Sequence, residues 1–162
     1  CHTALYKEID FTKKERTGRN IPFGVREHAM GAILNGMALS NLRLFGSTFL
    51  VFSDYLKPAI RMTAQMNLPI TYIFTHDSVS IGQDGPSHQP VEQLAMLRSI
   101  PNFKVYRPSD YKELSYGGMY MFVKNKNSFA HALDRALYIL YNITAKKAMG
   151  FANYTSFFSG IL

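Results

Sequence analysis

The sequence predicts an α/β domain, a three-layer sandwich in which a mostly parallel sheet is covered by helices on both faces. Short apolar runs of strand length alternate with stretches whose apolar residues recur at helical spacing. One of these runs, residues 70–74, consists of β-branched and aromatic residues, as in a strand buried on both faces. Directly after it, residues 75–90 form a polar loop punctuated by Gly and Pro that carries His76, Asp77, Asp84 and His88. Loops held between rigid elements concentrate binding and catalytic groups.

Residues 1–20 are polar and basic with little periodicity, and read as an arm. Residues 23–25 are a short strand candidate ending at Arg26-Glu27. Over 28–39, Met30, Ile33, Leu34, Met37 and Ala38 recur at helical spacing. A second strand candidate, 42–45, is ended by Gly46. Residues 48–66 then read as a helix with Leu50, Val51, Ile60 and Met62 at apolar positions, and Pro58 is expected to kink or interrupt it. After the strand at 70–74 and the polar loop, Pro90 opens an amphipathic helix over 91–100 with Leu94, Met96 and Leu97 on its apolar side. Residues 103–106 are a further strand candidate. Pro108 starts a turn, and Asp110 is placed to cap a helix running to about residue 123. The expected division is an arm at 1–20, a domain at 21–125 and a tail at 126–162. From residue 114 onward the sequence is rich in Tyr and Phe and lacks clear punctuation, so it predicts no fold there. In parallel sheets, ligands sit beyond the carboxyl ends of the strands. Both Arg26-Glu27 and the 75–90 loop occupy such ends.

Composition narrows the class. A chain of 162 residues with 47% apolar and 18% charged residues is one ordinary globular domain. It has no apolar run near the roughly 18 residues of a membrane span, and no basic-then-apolar leader. The one cysteine, Cys1, cannot form an internal disulfide, which fits a cytoplasmic setting. A start at Cys1 rather than Met suggests a fragment. The net charge of +7 raises the question of nucleic acid. However, Lys13, Lys14, Arg16 and Arg19 lie far in sequence from Lys124, Lys126, Lys146 and Lys147, and no nucleic-acid motif accompanies them. Solvated faces account for these residues, and anionic substrates or cofactor phosphates are the next explanation. Neither nucleic acid nor membrane is expected as a partner.

Three signatures occur in order: Phe23-Gly-Val-Arg-Glu-His-Ala-Met30, Gly46-Ser-Thr-Phe-Leu-Val-Phe-Ser-Asp-Tyr55, and Thr75-His-Asp-Ser-Val-Ser-Ile-Gly-Gln-Asp-Gly-Pro-Ser-His-Gln-Pro90. Together they resemble the pyrimidine-binding domain of transketolase, and the likeness runs from about residue 18 to 110. The resemblance implies transfer of a two-carbon ketol unit between sugar phosphates, the chemistry of the pentose phosphate pathway, with thiamine diphosphate as cofactor. It also implies a homodimer in the complete enzyme. In that family the diphosphate and its Mg²⁺ (or Ca²⁺) are held by a Gly-Asp-Gly…Asn motif on a separate domain. No such motif occurs in this sequence. The chain is therefore expected to supply half of a site, to need the diphosphate-binding domain or subunit as partner, and to be inactive alone. Another thiamine enzyme, such as 1-deoxyxylulose-5-phosphate synthase, is an alternative. Arg26-Glu27-His28 and Thr75-His76-Asp77-Ser78 favour transketolase over it. A non-catalytic binding or assembly module is the alternative from another class.

The resemblance also assigns roles. Glu27 would bond N1′ of the aminopyrimidine and promote the imino tautomer whose exocyclic nitrogen acts as the base at C2. That role needs a carboxyl shielded from water, with its pKa raised by sharing a proton with the ring. Position alone would also suit a carboxylate stabilised by a helix N-terminus. Phe49, Phe52 and Tyr55, spaced by three, would wall the pyrimidine slot, where offset stacking adds to area burial. The same spacing describes a core-facing stripe. His76, Asp84 and His88 would bond the sugar's hydroxyl and carbonyl groups, and the two histidines would help proton transfer. No metal site is expected among them, since nothing repeats at ligand spacing. Three departures from the family pattern stand out: Gln83 for the usual Glu, Ser87 for Thr, and Ser40-Asn41 for a His-Gly-Gly type turn. The strand closed by a phosphate-binding arginine, usual in the family, has no evident counterpart in the tail.

Overall fold

The computed structural model describes residues 8–110 and 112–116, and the backbone of 129–133. In chain order these residues form α1 (Glu27–Ala38), β1 (Leu44–Phe49), α2 (Ser53–Gln65), β2 (Ile70–Thr75), α3 (Gln93–Arg98), β3 (Lys104–Tyr106) and β4 (Phe129–Leu133). Short 3₁₀ helices occur at Leu50–Phe52, Val79–Asp84 and Pro86–His88. The strands pair in the order β1-β2-β4-β3. All pairings are parallel: Leu44 lies opposite Ile70, Thr71 opposite Phe129, and Lys104 opposite Phe129 from the other side. The parallel α/β class expected from the alternation is what forms.

Period explains the helices. In α1, Met30, Leu34 and Ala38 fall on one face and are buried. In α2, Leu56, Ala59, Ile60, Thr63 and Ala64 do the same. They pack with Ile70, Tyr72 and Phe74 of β2, Leu50 of a 3₁₀ turn and Leu97 of α3, each fully buried. Every residue of β2 is buried, so both of its faces are covered. The crossovers β1–α2–β2 and β2–α3–β3 step in one direction across the sheet, which places α2 and α3 on one face. The β3–β4 connection steps back across the sheet. Residues 117–128 of that connection lie outside the described residues.

Several boundaries differ from expectation. Residues 23–25 form no strand, and Val25 is fully open to solvent. Gly46 does not end β1 but lies inside it, because a side chain there would collide with Leu34 of α1. The expected helix at 48–66 starts only at Ser53, since β1 runs on to Phe49 and a 3₁₀ turn follows. Pro58 neither stops nor splits α2. It falls within the second turn, and the carbonyl it leaves without a partner belongs to exposed Asp54. Asp110 does cap a helical turn at 112–116, its Oδ1 accepting from Glu113 N at 2.8 Å. The remainder of that expected helix, and all of the tail except β4, lie outside the described residues.

Candidate functional site

α1 runs antiparallel to β1, so the first residue of the helix meets the last residues of the strand. Glu27 occupies that first turn, where the helix dipole favours a carboxylate. It is half-buried, and the Thr48 hydroxyl donates to it across a long 3.5 Å. The turn into the helix is set by Gly24, at φ +64°, and by Arg26, whose guanidinium donates to the Phe23 carbonyl at 2.6 Å.

One residue beyond Thr48, Phe49 closes β1 and begins a row of rings. The Phe49 and Phe52 rings stack at 5.8 Å with 10° between planes, and Tyr55 follows Phe52 at 6.2 Å. The row is not the single helical face that a spacing of three suggested. Phe49 ends a strand, Phe52 sits in a 3₁₀ turn, and Tyr55 lies in the first turn of α2. Tyr55 remains 65% exposed, which leaves an uncovered apolar wall at the edge of the row.

The loop after β2 folds back over these rings. His76 stacks on Phe49 with ring centroids 3.7 Å apart and 21° between planes. His88 meets Phe52 edge-on at 5.3 Å and Phe49 at 6.0 Å. Asp84 Oδ2 lies 3.8 Å from His76 Nε2, while His76 Nδ1 faces the Thr75 hydroxyl at 2.9 Å. The Ser87 hydroxyl lies 2.9 Å from His88 Nδ1. Gly85 takes φ +73° with ψ −178°, a conformation open essentially to glycine alone, and so turns the chain between Asp84 and His88. The structure thus gathers Phe49, Phe52, His76, Asp84 and His88 into one cluster, with Tyr55 at its rim. Glu27 stands one residue away, connected through Thr48.

Two contacts hold this loop at its ends. Asp77, almost wholly buried, receives Arg107 Nε at 2.7 Å. Gln93, buried at the start of α3, donates to Asp54 Oδ2 at 2.9 Å and accepts from Val91 N. Reading by sequence gave no role to Arg107, although it follows a strand end, where site residues concentrate. Among the described residues there is no group of three or more His, Cys, Asp or Glu side chains able to hold a metal ion. A half-buried carboxyl beside half-buried rings and an exposed Tyr55 is chemically suited to a flat nitrogen heterocycle. No helix among the described residues is long and apolar enough to cross a membrane.

A parallel α/β domain with rings and a carboxyl gathered at the carboxyl ends of two adjacent strands belongs to the class whose ligands sit beyond those strand ends. The family model for the transketolase pyrimidine-binding domain matches residues 3–139, and the chain belongs to that family. The chain is 63% identical to a transketolase of Bacillus subtilis over 112 residues, covering 68% of this chain and 17% of that protein. Crystallographic transketolase from Campylobacter jejuni superposes with a TM-score of 0.73 at 43% identity, over 82% of this chain and 20% of that one. Transketolase from Leishmania mexicana gives 0.75 at 43% identity, over 79% and 19%. The chain thus spans about a sixth to a fifth of the length of the proteins it resembles.

Proposed function

We propose that this chain is the pyrimidine-binding portion of a transketolase, and that it works only with a diphosphate-binding domain or subunit of the same enzyme. The observation that carries the proposal is the convergence at the ends of β1 and β2. There a half-buried carboxyl, a row of aromatic rings and a histidine–aspartate cluster meet within one edge of the sheet. Family membership and the match to about a sixth of a longer enzyme support it. The complete enzyme would be a homodimer that transfers a two-carbon unit between sugar phosphates in the cytoplasm. The lone Cys1 is compatible with that reducing setting.

Each residue has a task in this reading. Phe49, Phe52 and Tyr55 bury one face of the aminopyrimidine and exclude water from it. Glu27 shares a proton with N1′ of that ring. Thiamine diphosphate, when bound, would supply a C2–H carbon acid whose deprotonated form is the nucleophile, and Mg²⁺ (or Ca²⁺) would belong to the partner domain. His76 and His88 bond the hydroxyl and carbonyl oxygens of the sugar and pass protons, while Asp84 orients His76 and accepts from a sugar hydroxyl. β4 adds an unexpected piece. Its last residue is Leu133, and Arg135 follows two positions later in the sequence. Arg135 lies outside the described residues; by chain position it is our choice for the arginine that meets the substrate phosphate. On this reading the domain extends from about residue 21 through β4.

The test is hydrogen–deuterium exchange at C2 of the cofactor, measured by NMR in a reconstituted enzyme before sugar is added. Glu27→Gln keeps the shape of the side chain but cannot share the proton. It should slow exchange at least tenfold, the equivalent of losing a hydrogen bond to a charged group worth about 1.5–3 kcal/mol. His88→Ala should leave that exchange intact and impair only the steps that involve sugar. Exchange at the parental rate in Glu27→Gln would remove Glu27 from cofactor activation.

A further inference from the structure

Resting on the role proposed for His76, we infer that the Asp77–Arg107 ion pair is a positioning device that holds the His76 imidazole against Phe49. His76 is one of the few non-glycine residues with positive φ, at +59°. A histidine tolerates that region better than most residues but does not prefer it, so surrounding contacts must hold it there. Its imidazole has a hydroxyl at 2.9 Å, a carboxylate at 3.8 Å and the Phe49 ring at 3.7 Å. The next residue is anchored firmly. Asp77 keeps 1% of its side chain exposed and accepts from Arg107 Nε at 2.7 Å. A carboxylate that deep stays charged only if it is paired and hydrogen-bonded.

Arg107 comes from the residue after β3, two strands away from β2 in the sheet order. The pair therefore crosses the carboxyl edge of the sheet and ties the β2 loop to the β3 loop. Anchoring Asp77 restrains the chain directly after His76, whose φ is +59°. Arg107 touches neither the rings nor the histidines in the contacts described. It acts through Asp77.

The readout is the carbon-bound imidazole protons of His76 in this 162-residue chain. A ring stacked at 3.7 Å shifts them upfield relative to an unfolded peptide. Arg107→Gln should move them downfield while the His28 signals and the Ile70, Leu56 and Tyr72 signals of the core stay in place. Arg107→Lys restores the charge without the fork and should return them part of the way. Asp77→Asn, which keeps the shape of the side chain, should reproduce the effect from the other partner. In an enzyme reconstituted with its diphosphate-binding domain, Arg107→Gln should raise KM for the ketose roughly tenfold to a hundredfold, as misplacement of a positioned group does. Cofactor C2 exchange should not change. Unmoved His76 protons in both Arg107→Gln and Asp77→Asn would overturn the inference. Displaced protons with an unchanged sugar KM would support the anchor and refute the substrate role of His76.

Discussion

Removing the ring of Phe52 separates two duties that one side chain performs. It is half-buried, stacked on Phe49 at 5.8 Å and touched edge-on by His88 at 5.3 Å. Phe52→Ala in a reconstituted enzyme should weaken cofactor binding roughly tenfold, from about 0.5–1.5 kcal/mol of stacking plus lost contact area. Stability of the chain should fall by roughly 2 kcal/mol, below the about 3–5 expected of a fully buried ring. Titration of cofactor into the variant measures the first effect and urea unfolding the second; unchanged affinity would leave Phe52 a purely structural residue. Single residues were the most legible level of this protein. The loop from 75 to 90 could be picked out because Gly82 and Gly85, at φ +67° and +73°, punctuate it and His76, Asp84 and His88 crowd it. Arg107 could not be assigned. Its partner Asp77 lies 30 residues earlier, and a pairing across that distance leaves no local pattern.

Elements are set by close approach as much as by period. Gly31 lets α1 and α2 touch: a Cβ there would lie 2.6 Å from Ala59 Cβ and 2.6 Å from Leu56 Cδ1. Gly31→Ala should therefore destabilise by about 1–2 kcal/mol, since overpacking outweighs the better helix propensity of alanine. A lower urea midpoint with an unchanged slope is the expected result. Between the same helices and β2 runs a buried polar chain. The Tyr72 hydroxyl lies 2.8 Å from Thr63 Oγ1, which approaches Asn35 Oδ1 at 2.5 Å, and Asn35 Nδ2 donates to the Ala59 carbonyl at 3.0 Å. Burial pushes the Tyr72 phenol up to about 12, against a smaller lowering by the Thr63 bond. The folded pKa lies above the unfolded value near 10, so the folded state holds the proton more tightly. The corresponding stability, on the order of 2–3 kcal/mol, is fully present below pH 10 and lost as pH rises towards 12. Unfolding followed from pH 9 to 12 should show that loss, and Tyr72→Phe should flatten it. Helical period located α1 and α2 and a continuous apolar run located β2, yet the reading of Gly46 as a breaker ended β1 too early. Gly46 reads as a breaker in sequence, whereas in the fold it is the place where Leu34 needs room. β4 escaped notice because Phe129-Ala-His-Ala-Leu133 lacks the β-branched residues of β2, and its place in the sheet comes from pairing with strands on both sides.

At the scale of the molecule, the rings and the carboxyl line a single edge of the sheet, and Tyr55 stands 65% exposed there. The function proposed above makes this chain half of a site. The most direct test is isothermal titration of thiamine diphosphate with Mg²⁺ into the isolated chain, and into the chain mixed with a transketolase diphosphate-binding domain. Little or no binding heat is expected for the chain alone, and saturable binding by the mixture that is tighter than binding to the added domain alone. Tight binding by the isolated chain, or a mixture that binds no better than the added domain, would contradict the half-site proposal.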